Sequence, residues 1–93
     1  MRTQRILVVD DEPQIQRFLK VALTAAGFDA ILAGTGSEAL KAIVTRAPDA
    51  VVLDLGLPDV DGKDVLREIR GFSKIPVVIL SARDREAEKI EAL

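Results

Sequence analysis

Neither cysteine nor histidine occurs in this chain, and there is no tryptophan or tyrosine. Without cysteine there are no disulfides and no thiolate metal sites. Without histidine there is no imidazole base, no histidine phosphoacceptor and none of the usual zinc sites. Phe18, Phe28 and Phe72 are the only aromatics, so any core is aliphatic. Neither sign of charge dominates: the net charge is −2 with acids and bases interspersed, which leaves no basic footprint for nucleic acid. Long apolar runs are missing too. Four consecutive apolar residues follow Arg5, too few for a signal peptide, and nothing is long enough to span a membrane. A cytoplasmic protein is the default expectation.

What is present belongs to one small folded domain over residues 1–93, with 48% apolar and 30% charged residues, a balance unlike that of a disordered tail. Two short β-branched runs end at carboxylates. Ile6-Leu7-Val8-Val9 ends in Asp10-Asp11, and Ala50-Val51-Val52-Leu53 ends in Asp54. Fully apolar runs of this length read as buried parallel strands. The pattern along the chain alternates strand and helix. A first strand runs over 5–10, and a helix starting at Pro13 turns Ile15, Phe18, Leu19, Ala22, Leu23 and Ala26 inward before Gly27 stops it. A second strand covers 29–33. Residues 34–37 then cap a helix whose inner face is Leu40, Ile43, Val44 and Ala47, ended by Pro48. The third strand leads to Asp54. A third helix from Lys63 carries Val65, Leu66 and Ile69 inward and stops near Gly71, with Asp59 and Asp61 as its caps. A fourth strand covers 76–80 and ends in Ser81, and a fourth helix over 84–93 has Ala87, Ile90 and Leu93 on its apolar side.

Repeated βα units with right-handed crossovers imply an α/β doubly wound parallel sheet of order 2-1-3-4. Open sheets of this kind bind ligands at the carboxyl ends of the strands beside the topological switch, here between strands 1 and 3. Asp10, Asp11 and Asp54 are placed there. A lone Asp after a strand usually caps a turn, and Asp10-Asp11 next to Pro13 could cap a helix. Three carboxylates together, however, call for a hard divalent cation such as Mg²⁺. A metal-held aspartate is also a nucleophile able to accept a phosphoryl group. Ser81 ends the strand neighbouring strand 3, so its hydroxyl can face Asp54 as a hydrogen-bond donor. Residues 57–68 partly imitate a calcium loop, but Leu57 stands where the first acidic ligand is required.

Ile6-Leu7-Val8-Val9-Asp10-Asp11-Glu12-Pro13, Val52-Leu53-Asp54-Leu55-Gly56-Leu57-Pro58-Asp59 with Asp61-Gly62, and Val77-Val78-Ile79-Leu80-Ser81-Ala82-Arg83 resemble the receiver domain of two-component response regulators. The last two segments are most similar to the KdpE-type, potassium-responsive branch of the winged-helix (OmpR-like) regulators. The resemblance implies a flavodoxin-like (CheY-like) fold and a phosphoacceptor at Asp54 that is charged by a sensor histidine kinase. It implies that Asp11, Asp54 and the backbone carbonyl of Gly56 ligate Mg²⁺, that Asp10 acts through a bound water, and that Ser81 is the switch hydroxyl. It makes the chain a signalling module and not an enzyme.

Receivers continue into a fifth strand ending in Lys-Pro and a fifth helix, for which these 93 residues have no counterpart. The family lysine and a DNA-binding effector domain are likewise not among them. The edge of strand 4 and the face normally covered by helix 5 are therefore expected to be exposed, and a homodimer through strand 4 and helix 4 is expected. Two alternatives are a non-switching interaction module and a Mg²⁺-dependent phosphatase of the haloacid-dehalogenase type. The latter needs a general acid two residues after the nucleophile, where this chain has Gly56.

Overall fold

The computed structural model describes residues 3–80. Ser81 and the expected fourth helix, with Ala87, Ile90 and Leu93, lie outside the described residues. Within them the chain alternates β1 (Arg5–Val9), α1 (Pro13–Ala25), β2 (Asp29–Ala33), α2 (Gly36–Arg46), β3 (Ala50–Asp54), α3 (Gly62–Phe72) and β4 (Val77–Leu80). The four strands form one sheet in the order β2-β1-β3-β4, every pairing parallel. This is the doubly wound architecture expected from the sequence.

Burial follows from strand position. β1 is central, and its Leu7, Val8 and Val9 are covered on both faces. One face joins Leu7 and Val9 to Ile31, Ala33, Val51 and Leu53, and packs them beneath Ala39 and Ile43 of α2 and Val65 and Ile69 of α3. Val65 and Ile69 lie one turn apart on α3, the periodicity of a helix with one buried stripe.

α1 lies against β1 and β2, and departs from expectation. Ile15, Leu19 and Leu23 form its half-buried ridge. Phe18 is 68% exposed, and Ala22 and Ala26 are exposed as well. The ridge i, i+4, i+8 points one narrow stripe at the sheet, and Phe18, one residue before Leu19, is turned about 100° from it. On α2 the inward residues are Ala39 and Ile43, with Leu40 packed against the core, whereas Val44 is 73% exposed. Ala47, expected inside, is exposed as the C-cap, in a left-handed conformation that ends the helix before Pro48.

The ends of the elements shift by a residue for local reasons. β4 starts at Val77 because Pro76 has no N–H to donate, although the Pro76 carbonyl still accepts from the Val51 amide at 2.9 Å. β1 closes at Val9, yet the Asp10 amide continues the ladder to the Ala33 carbonyl at 3.0 Å. α3 starts at Gly62, capped by Asp61, whose Oδ1 accepts from the Lys63 amide at 2.9 Å.

Candidate functional site

Register brings the carboxylates together. Val9 is level with Leu53 across the β1–β3 pair, so the next residues, Asp10 and Asp54, emerge side by side at the carboxyl edge of the sheet. Both are almost wholly buried, with 2% of their surface exposed, whereas Asp11 is exposed. One carboxylate oxygen from each of Asp10, Asp11 and Asp54 lies within 4.8 Å of the others. Two like charges at that separation repel by roughly 3 to 4 kcal/mol at an effective dielectric of 20. Such a cluster is a poor structural device alone and a good ligand set for a small hard cation. All-oxygen donors at the sheet edge fit Mg²⁺, which keeps several waters and takes few protein ligands.

The local chain explains how each group is held. Asp10 Oδ1 accepts from the Glu12 amide at 2.8 Å, tying the β1–α1 turn to the site. The expected capping of α1 by Asp10 or Asp11 is not what forms: Glu12 is the N-cap residue, without a side-chain cap, and Asp10 bonds its amide in the turn before the helix. Asp54 Oδ1 accepts from the Gly56 amide at 3.1 Å, folding the first residues of the β3–α3 loop back on the nucleophile candidate. Gly56 is exposed in that loop. Ser81 lies outside the described residues.

Two supporting residues escape a reading of the sequence. Gln16 Nε2 donates to the Asp10 carbonyl at 2.6 Å and approaches the Ala33 carbonyl at 3.4 Å, clamping the ends of β1 and β2. Its only signal in the sequence is a polar residue next to the apolar ridge of α1. Asp59, expected to cap α3, instead caps α2: its Oδ1 accepts from the Gly36 amide at 2.9 Å and its Oδ2 from the Ser37 amide at 3.1 Å. The Gly36 hydrogen bond, opposed by desolvation and reinforced by the Ser37 amide, holds the Asp59 carboxyl below its ordinary value of 3.8.

A parallel α/β sheet with clustered carboxylates at its switch point is the arrangement expected of a receiver domain, and Gly56 supplies no carboxyl group for the leaving-group protonation that the phosphatase alternative requires. Comparison with known proteins agrees. Residues 6–93 match the family model described as the response regulator receiver domain, and the chain belongs to that family. It is 51% identical over 88 residues to the transcriptional regulatory protein KdpE of Mycobacterium tuberculosis H37Rv, a match covering 95% of this chain and 39% of that protein. It is 47% identical over 88 residues to the KDP operon transcriptional regulatory protein KdpE of Escherichia coli K12, again 39% of that protein's length. The receiver domain of the Francisella response regulator 1452 superposes with a TM-score of 0.82 at 38% identity, covering 96% of this chain and 74% of that one. The chain thus spans about two fifths of the curated relatives it matches. Receiver domains are phosphoacceptors that interact with sensor histidine kinases and bind Mg²⁺ at an acidic pocket, and the acidic pocket of this chain is Asp10, Asp11 and Asp54. They are not enzymes acting on a separate substrate. Among the described residues no helix is long and apolar enough to cross a membrane.

Proposed function

We propose that Asp54 accepts a phosphoryl group from a phosphohistidine of a sensor kinase in the cytoplasm, as one step of a relay controlling transcription of potassium-transport genes. The observation that carries this reading is the convergence of the Asp10, Asp11 and Asp54 oxygens within 4.8 Å at the carboxyl ends of β1 and β3. An Asp54 oxygen attacks phosphorus, the bond from phosphorus to the kinase imidazole nitrogen breaks, and that nitrogen keeps the electron pair. Asp11, Asp54 and the Gly56 carbonyl would hold Mg²⁺, with Asp10 acting through a water. When bound, the ion supplies neutralisation of charge on the transferring group. The chain's own task is then to position: the Gly56 amide on Oδ1 of Asp54 restrains the nucleophile's rotation, and Asp10 and Asp11 present charge without competing for phosphorus. The Ser81 hydroxyl is assigned as donor to a phosphoryl oxygen and as the switch group. Contact with DNA is not assigned to residues 1–93, which we read as one receiver domain.

Acetyl phosphate with Mg²⁺ should yield a hydroxylamine-labile phosphate adduct, detected by mass spectrometry and absent in Asp54→Asn. An adduct that persists in Asp54→Asn sinks the assignment. No adduct on the parent chain would instead favour a non-switching interaction module.

The same reading includes a homodimer through β4, on which Val78 and Ile79 are 57% and 37% exposed, and the helix expected after it. Val78→Lys should move the light-scattering mass towards the monomer, because an inserted charge blocks edge pairing. A mass indifferent to that change would argue against this interface.

A further inference from the structure

The β3–α3 loop, residues 55–61, is fastened at three places. Its start is held by the Gly56 amide on Asp54 Oδ1, and its two ends are closed by the Gly62 amide donating to the Leu55 carbonyl at 3.0 Å. The third fastening lies 23 residues away in sequence, where the Asp59 carboxylate receives the Gly36 and Ser37 amides at the start of α2. The Asp59 side chain is not alone there. Val60 presses into the space above Gly36 so closely that a Cβ on Gly36 would come within 2.5 Å of Val60 Cγ2. α2 also has its own cap, Thr35, whose Oγ1 accepts from the Glu38 amide at 3.0 Å. The helix therefore does not need Asp59 as its sole N-terminal partner, while Asp59 ties the loop to two amides of the first turn of α2. A carboxylate at the positive end of a helix makes a charge-assisted contact of the stronger kind.

We propose that Asp59 is a positioning residue of the acidic site: by docking the middle of the 55–61 loop on the first turn of α2, it holds the Gly56 backbone where its carbonyl serves as a metal ligand. This inference rests on the reading of Asp10, Asp11, Asp54 and Gly56 as the Mg²⁺ site. Outer-shell groups of this kind set metal affinity without touching the ion.

The test compares the parent with Asp59→Ala, Asp59→Asn and Thr35→Ala at a temperature where circular dichroism shows all four folded. Thr35→Ala uncaps the same helix but leaves both Asp59 contacts. Mg²⁺ alone is titrated by calorimetry, and amide hydrogen exchange is followed at Gly56 and Gly62 without metal. Asp59→Ala should weaken Mg²⁺ binding roughly tenfold, the lower end of what loss of outer-shell support costs, and should speed exchange at both glycines. Asp59→Asn, which keeps one acceptor oxygen, should fall between it and the parent. A pure charge effect would instead make the Asn and Ala variants equal and leave the amides unmoved. Thr35→Ala should lower the melting temperature and leave affinity and loop exchange at the parent values. Unchanged affinity and exchange in Asp59→Ala, with only a lower melting temperature, would overturn the proposal and make Asp59 a helix cap alone. A parent chain with no Asp11-dependent Mg²⁺ binding would refute the site reading instead, and glycine exchange would still decide whether Asp59 holds the loop.

Discussion

Gly62→Ala is expected to destabilise the fold by about 3 kcal/mol or more, the upper part of the range for forced overpacking. A Cβ at this position would lie 2.4 Å from Leu55 Cα, 2.8 Å from the Asp54 carbonyl oxygen and 3.0 Å from the Leu55 carbonyl carbon. All three are backbone atoms of the segment leaving β3, so no side chain can swing aside. Relief requires α3 to move off the loop, which breaks the Gly62 to Leu55 hydrogen bond and disturbs the turn beside Asp54. A domain of this size has roughly 5 to 14 kcal/mol of total stability. At 4–8 °C per kcal/mol, the melting temperature should fall by more than about 10 °C. Gly71→Ala, in the same helix, is the matched control: nothing lies within 4 Å of its added Cβ, so it should be neutral or slightly stabilising. Thermal unfolding followed by circular dichroism decides. Equal effects at the two glycines would remove close approach as the explanation.

Magnesium should stabilise the parent by mass action, and Asp11→Ala should abolish that response. Saturation to a hundred times the dissociation constant gives about 2.7 kcal/mol for a single site that binds only the folded state. In a domain this small that is again a shift of about 10 °C or more. Asp11 is the useful position because it is exposed, whereas Asp10 and Asp54 are buried and their loss would perturb the fold as well as the ion. A melting curve with and without Mg²⁺ separates metal response from intrinsic stability. If Asp11→Ala gains as much from Mg²⁺ as the parent, Asp11 is not a ligand. The two predictions probe different halves of the site: Gly62 the packing that brings the loop to Asp54, and Asp11 the charge that the packing gathers.

Much of this centre is legible without coordinates. Short apolar runs ending at Asp10 and Asp54 identify parallel strands, because only strands buried on both faces are apolar at every position. The handedness of βα crossovers then leaves few sheet orders to consider, and one of them sets those carboxylates side by side. Sheet order and the grouping of Asp10, Asp11 and Asp54 therefore follow from local pattern plus chain chirality. The tertiary structure alone decided which apolar residues of α1 and α2 lie inside. Hydrophobic spacing marks a broad face at Phe18, Leu19, Ile43 and Val44, but the line along which the helix meets the sheet selects Leu19 and Ile43 and leaves Phe18 and Val44 in solvent. It alone decided the partner of Asp59 as well. By sequence Asp59 and Asp61 both stand just before α3, and only Asp61 caps it. The loop's path past α2 carries Asp59 to the Gly36 and Ser37 amides, which reflects three-dimensional proximity that no spacing along the chain encodes.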